Sequence, residues 1–197
     1  MESEEKKTRA QQAEETKRHI FNVALNLLDE CDFEKIKIRD IVNAADVSIG
    51  TFYHYYKSKL EVYYETYQLA DEYFEETVTQ ALTQPSAKER IFCFFDYYAR
   101  YSSEITSLKL TKLLYNSSNK SFDRQVPKGM KPLLKELLTQ AIESGELYSD
   151  DSVDEMVEFL IIAVRGQVYH WCTNDGAYDL RQTLKRFVER LLKVYTS

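Results

Sequence analysis

Between Lys37 and Lys59 the chain gathers side chains that bind rather than react. Ser48, Thr51, Tyr53, His54 and the ammonium groups of Lys37 and Lys59 are hydrogen-bond donors, and Gly50 leaves bare backbone among them. Such donors suit an extended, acceptor-rich polyanion: phosphate oxygens take charged and hydroxyl donors, and base edges take directional ones. Enzyme chemistry has no comparable signal. No phosphate loop, nucleophile elbow, metal-ligand spacing or paired-carboxylate motif is present. His170 and Cys172 are two apart and would not share a helix face. Cys31, Cys93 and Cys172 are odd in number with no paired spacing, which reads as reduced thiols. No metal and no cofactor is expected.

The elements that must hold these donors follow from periodicity. Ile20, Val23, Ala24, Leu27, Leu28 and Cys31 recur at three- and four-residue steps and predict a first helix over 12–31. Ile38, Ile41, Val42 and Ala45 give a second over 38–45. Asp46-Val47 turns the chain, and Ser48 caps a third helix to Tyr55. Phe52 and Tyr56, four apart, should pack inward and leave Ser48, Ile49, Thr51, Tyr53, His54 and Tyr55 outside. Gly50 costs about 1 kcal/mol in a helix interior against Ala, a cost that close backbone approach to a ligand would explain. The plainer reading is a small helical domain with surface aromatics. Two short helices joined by a tight turn, the second exposed, form the shape that enters a DNA major groove.

Charge is compatible with that reading only locally. The whole chain carries −6. From Lys35 to Lys59, however, Lys35, Lys37, Arg39, Lys57 and Lys59 face only Asp40 and Asp46. That surplus can meet phosphates while the acidic remainder limits nonspecific binding.

Beyond the turn, Ser58–Glu61, Ser86–Glu89 and Ser152–Glu155 are capping-box patterns. They open helices over 59–82, 86–102 and 152–173. Further helices are predicted over 104–115, from Pro127 to the stop at Gly145, and over 180–195, with a polar loop over 116–126. The fold class is all-α: an N-terminal helix-turn-helix domain of three helices (1–58) and a larger C-terminal helical domain (59–197), about nine helices in total. No apolar run approaches the ~20 residues of a membrane span. The N-terminus MESEEKKTRAQQAEE lacks an apolar signal core, so a soluble cytoplasmic protein is expected.

The run from Arg18 to Tyr64 resembles the DNA-binding domain of the TetR family of one-component transcriptional regulators. The matching residues are Ile20, Ala24, Leu27 and Phe33, then Arg39-Asp40-Ile41, Ala44-Ala45, Val47-Ser48, Gly50 to Tyr56, and Lys57-Ser58-Lys59. The resemblance implies base and phosphate contacts at Ser48, Gly50, Thr51, Tyr53 and His54, and a phosphate contact at Lys59. Four positions depart from the family pattern. Asp32 and Asp46 stand where Gly is common, Lys37 replaces a Ser/Thr cap and supplies charge instead, and Ile49 replaces a polar residue. Asp46 still tolerates left-handed backbone.

In the C-terminal domain, Phe94, Tyr98, Tyr101 and their aromatic neighbours make the fifth helix apolar nearly all round, hence central. With Tyr67, Tyr115, Arg165 and Trp171 they either line a cavity for an aromatic or lipophilic effector or form a closed aromatic core. Arg165 either meets a ligand carboxylate or makes a structural ion pair. The resemblance also implies a homodimer built from the last two helices, through Val157, Leu160, Ile161, Val164, Leu184, Phe187 and Leu191. The expected function is a repressor that leaves a palindromic double-stranded DNA operator when a small molecule binds. The rival is a structural DNA-binding protein of the same fold whose C-terminal domain only dimerises or binds a protein partner.

Overall fold

The computed structural model describes residues 8–115 and 128–196. The expected loop over 116–126 and Pro127 lie outside the described residues. Every element among the described residues is helical.

Helix α1 (Arg9–Glu30) starts three residues earlier than its apolar stripe suggests, because Thr8 and Gln11 form a reciprocal capping box. Its inward face carries Ile20, Phe21, Ala24 and Leu28. Helix α2 (Ile38–Ala44) is opened by the Asp40 carboxylate, which accepts the Lys37 backbone N–H at 2.7 Å. Asp46 takes φ +51° at the turn, the left-handed conformation its side chain tolerates. Helix α3 (Ile49–Tyr55) follows, with Ser48 as its cap. Helix α4 (Lys59–Tyr63) is capped by Ser58. Phe52, Tyr56, Val62 and Tyr63 close this core beneath α1 and α2. Two buried hydroxyls tie it to α1: Tyr56 donates to the Lys17 carbonyl at 3.2 Å and Tyr63 to that of Ala24 at 3.0 Å.

The single helix expected over 59–82 is instead interrupted twice. It pauses at Tyr64, re-forms as α5 (Glu65–Tyr73), widens into a π turn (Phe74–Val78), and ends as α6 (Thr79–Ala81). The widening has a local cause: Thr79 donates both its N–H and its hydroxyl to the Phe74 carbonyl, five residues back. The same device recurs after α7 (Ala87–Arg100). There Thr106 donates its N–H and hydroxyl to the Tyr101 carbonyl and closes a π turn over Tyr101–Ile105. That turn uses up the start of the helix expected at Glu104, so α8 begins later (Leu108–Leu114).

The remaining elements are α9 (Met130–Glu143), α10 (Val153–Thr173) and α11 (Leu180–Leu191), the last ending in a 3-10 turn over Leu192–Tyr195. Gly145, at φ +74°, follows the end of α9. Helix α7 is the central element, packed on α9 and α11. Its Ile91, Phe94 and Phe95 join Leu134, Leu138, Leu160, Val164, Leu184 and Val188 in one core. The α7 N-terminus is held from outside its own helix: the Glu146 carboxylate accepts the Ala87 and Lys88 N–H groups and the Ser86 hydroxyl. The chain divides into two compact units between Glu65 and Thr66, at the start of α5, whereas the sequence analysis placed the boundary at 58/59.

Candidate nucleic-acid interface and ligand cavity

Helix α3 is gripped from one side only. Phe52 and Tyr56 are 0% and 1% exposed, whereas Ile49 and Tyr53 are 49% and 53% exposed. Gly50 and His54 share the open side, Thr51 is half-buried, and Lys37 stands exposed before α2. The Ser48 hydroxyl accepts the Thr51 N–H at 2.9 Å and also meets the Thr51 hydroxyl at 2.9 Å, so capping and the polar edge of the face share one atom. Tyr53 is braced edge-on against Phe52 at 5.5 Å. A methyl added at Gly50 would meet nothing closer than the Ser48 Oγ, at an ordinary 3.5 Å. The fold therefore does not require glycine there.

Lys59 differs from the expected free phosphate contact. Its ammonium donates to the Phe33 and Ile36 carbonyls at 2.5 and 2.6 Å and lies 3.9 Å from the centre of the Phe33 ring. Burial against this loop lowers its pKa. Lys59 is a brace for the chain between α1 and α2, so replacing it removes a fold contact along with any contact to DNA.

The second unit contains a partly open cavity of about 90 Å³. Five of the expected effector residues line it: Tyr67 from α5, Tyr98 and Tyr101 at the end of α7, Tyr115 after α8, and Arg165 from α10. Phe94 and Trp171 are not in its lining. Phe94 is fully buried in the core, 5.0 Å from the rings of both Phe74 and Phe95. The Trp171 indole N–H donates to the Tyr178 carbonyl at 2.9 Å. Sequence reasoning missed Thr66, Asp71, Ser102, Thr106, Thr111 and Lys131, all of which line the cavity. Part of that lining forms a stripe: Thr66, Tyr67, Ala70 and Asp71 fall at helical spacing on α5, and Phe74 continues it at the start of the π turn.

Tyrosine and threonine hydroxyls form part of the cavity wall. The Tyr98 and Tyr115 hydroxyls meet at 2.6 Å. Burial raises both pKa values, with the Arg165 charge opposing it, so both phenols stay neutral at ordinary pH. Tyr101 donates to the Thr66 carbonyl at 3.1 Å. Thr106 and Thr111 share a 2.9 Å bond that fixes the second π turn to α8. The Thr66 hydroxyl, in a residue 3% exposed, has no hydrogen-bond partner among the described residues. Lys131 pairs with Glu158 at 2.6 Å. Among the described residues no group of His, Cys, Asp or Glu is arranged to hold a metal ion.

Most of the expected dimer face is buried within the chain itself. Val157, Leu160, Ile161, Val164 and Leu184 are buried within the chain's own core, and Phe187 and Leu191 pack partly against it. The first five are taken up by the chain's own packing, whereas Phe187 and Leu191 stay half-buried. The apolar residues that α10 leaves outside are Phe159, Ile162 and Tyr169, 41%, 64% and 54% exposed. With Gly166, where an added methyl would meet nothing within 4 Å, they recur at helical spacing on one stripe.

A capped reading helix on a small helical core, followed by a helical unit with an internal cavity, defines a helix-turn-helix transcriptional regulator. Residues 20–66 match the family described as bacterial regulatory proteins, tetR family. The fatty acid metabolism regulator protein of Bacillus subtilis (strain 168) is 23% identical over 166 residues, 82% of this chain and 86% of that protein. The structure of FadR from Thermus thermophilus, a transcriptional repressor in complex with lauroyl-CoA, is similar with a TM-score of 0.70. It is 25% identical and the match covers 89% of this chain and 93% of that one. RolR in complex with resorcinol has the same fold, with a TM-score of 0.69, 19% identity and coverage of 95% and 90%. No helix among the described residues is long and apolar enough to cross a membrane.

Proposed function

We propose that the protein is a homodimeric repressor in the cytoplasm, released from a palindromic operator by a small lipophilic or aromatic effector. The observation that carries this reading is the cavity on α5. Thr66, Tyr67, Ala70 and Asp71 form its wall. The residue before them, Glu65, pairs with Lys17 of α1 at 2.6 Å. A ligand that displaces α5 thus pulls on an ion pair belonging to the DNA-reading unit. It acts only through its different affinity for the two states, and the coupling is reciprocal. The relatives support a ligand-responsive repressor, since the Thermus thermophilus FadR structure contains lauroyl-CoA and the RolR structure contains resorcinol.

In this reading α3 lies in the major groove. Gly50 lets the helix backbone approach, Ser48, Thr51, Tyr53 and His54 meet base edges and phosphates, and Lys37 meets a phosphate. Ile49 offers an apolar contact to a thymine methyl. The second copy docks on the stripe Phe159, Ile162, Gly166 and Tyr169, and the dimer's two-fold axis accounts for a palindrome. The test is a titration of a fluorescent duplex, selected by the protein from a random pool, at fixed salt. Tyr53→Ala lowers affinity at least tenfold with an unchanged helical spectrum; equal affinity removes α3 from the interface.

A further inference from the structure

The outward arc of α3 lacks the side chains that read most bases. Ile49 and Tyr53, one turn apart, form one edge of the arc, and Gly50 and His54 form the other. No Arg, Lys, Asn, Gln, Asp or Glu occurs anywhere in Ile49–Tyr55. Those side chains are the ones that read guanine, adenine and cytosine by hydrogen bonds in the major groove. Ser48, ahead of Ile49, is engaged by the fold: its hydroxyl accepts the Thr51 N–H and meets the Thr51 hydroxyl, both at 2.9 Å. Thr51 is itself half-buried, and the Tyr53 ring is braced edge-on against Phe52.

Such an arc suits thymine, which presents a C5-methyl group in the major groove beside its O4 acceptor. An apolar side chain is the complement of that methyl. Ile49 is the aliphatic side chain of the arc and is 49% exposed. It is also the first residue of α3, and recognition helices meet base edges with their N-terminal residues. Packing its branched chain on a methyl takes apolar surface of both partners out of water. Gly50 beside it adds no side chain to hold the backbone off the groove. The charge of the flanking segments fits the same partner. Lys37, Arg39 and Lys57 are exposed, and cations of that kind contact phosphates, which position the helix without specifying a base.

We infer that Ile49 is the specificity-determining residue of α3 and that it reads a thymine methyl in each operator half-site. The inference rests on the reading of α3 as the helix in the major groove. It also ranks the pyrimidines at that position: thymine first, then 5-methylcytosine, which carries the same methyl, and cytosine last.

The test uses the full chain and the duplex it selects from a random pool, followed by anisotropy at fixed salt. Deoxyuridine, which is thymidine without the methyl, replaces one thymidine at a time. Loss of the contacted methyl lowers affinity about fourfold, and about fifteenfold when both half-sites are changed, on the scale of one methyl-sized group returned to water. Ile49→Ser binds the thymidine duplex more weakly and no longer distinguishes it from the deoxyuridine duplex, with an unchanged helical spectrum. Deoxycytidine at the same position weakens binding by the wild-type protein, and 5-methyldeoxycytidine recovers part of the loss. Deoxyuridine duplexes that all bind like the parent overturn the inference. So does a deoxyuridine penalty that persists undiminished in Ile49→Ser, which would assign the effect to another side chain or to DNA shape. A 5-methyl group that recovers nothing, or a pool that yields no preferred sequence, overturns it equally. If Tyr53→Ala still lowers affinity in those cases, the placement of α3 in the groove survives; if it does not, both readings fall.

Discussion

Gly50 separates a contact made for the fold from one made for a partner. Its backbone leaves room for a methyl, so Gly50→Ala should stabilise α3 by about 1 kcal/mol, raising Tm by roughly 2–4 °C for a chain of this size. The same variant should bind the selected operator at least tenfold more weakly, because the methyl intrudes where the helix meets DNA. Thermal melting and anisotropy on one preparation check both halves, and a rise in Tm with unchanged affinity would show that Gly50 serves no contact. At this scale much was legible. Ser48 as a cap, Asp46 in left-handed backbone, and Phe52 and Tyr56 as the buried pair all follow from residue type and short spacing. Lys59 was not, because its partners are backbone carbonyls 26 and 23 positions away, which no local pattern encodes.

Among the elements, the helix starts marked by Ser48, Ser58, Ser86 and Ser152 were read well, and interruptions were not. Ser and Asp caps act through the next turn, within reach of a local pattern. The two π turns also have a local trace, an aromatic residue followed five positions later by a threonine, Phe74–Thr79 and Tyr101–Thr106. Periodicity alone passes over it, because one extra residue shifts the apolar stripe without breaking it. Both turns border the cavity through Phe74, Tyr101 and Thr106. The Glu146 staple lies beyond local reading, since its partners on α7 are 58 to 60 positions away. Those hydrogen bonds, the Ser86 hydroxyl first, lower its pKa to about 2 from the ordinary 4.5. The ionised carboxylate is thus favoured in the folded state. Its contribution is whole above about pH 5 and is lost as the pH falls from there towards 2. Glu146→Gln should cost about 1 kcal/mol at pH 7, the size of a lost helix cap, since water screens the carboxylate. Urea midpoints of the two proteins should converge as the pH drops towards 2. A gap of constant size down to that pH would mean that the staple does not depend on charge.

For the whole molecule, the α10 residues that the sequence assigned to an interface are ones that the chain's own core takes. That helix is apolar on a broad face, and periodicity cannot say which part meets its own chain. Packing decides: the core takes Leu160, Ile161 and Val164, and Phe159, Ile162 and Tyr169 are left outside. Ile162→Asp should therefore yield a folded monomer by sedimentation that no longer binds the full palindrome; a dimer unchanged in strength would place the interface elsewhere. The central claim is that the cavity and the reading helix are coupled, and coupling is measured as a difference. Operator affinity is determined by anisotropy with and without a saturating amount of the compound that most raises Tm. The account predicts at least a tenfold loss of operator affinity, and an equal loss of that compound's affinity when operator is bound. Operator affinity unchanged at saturation would contradict it.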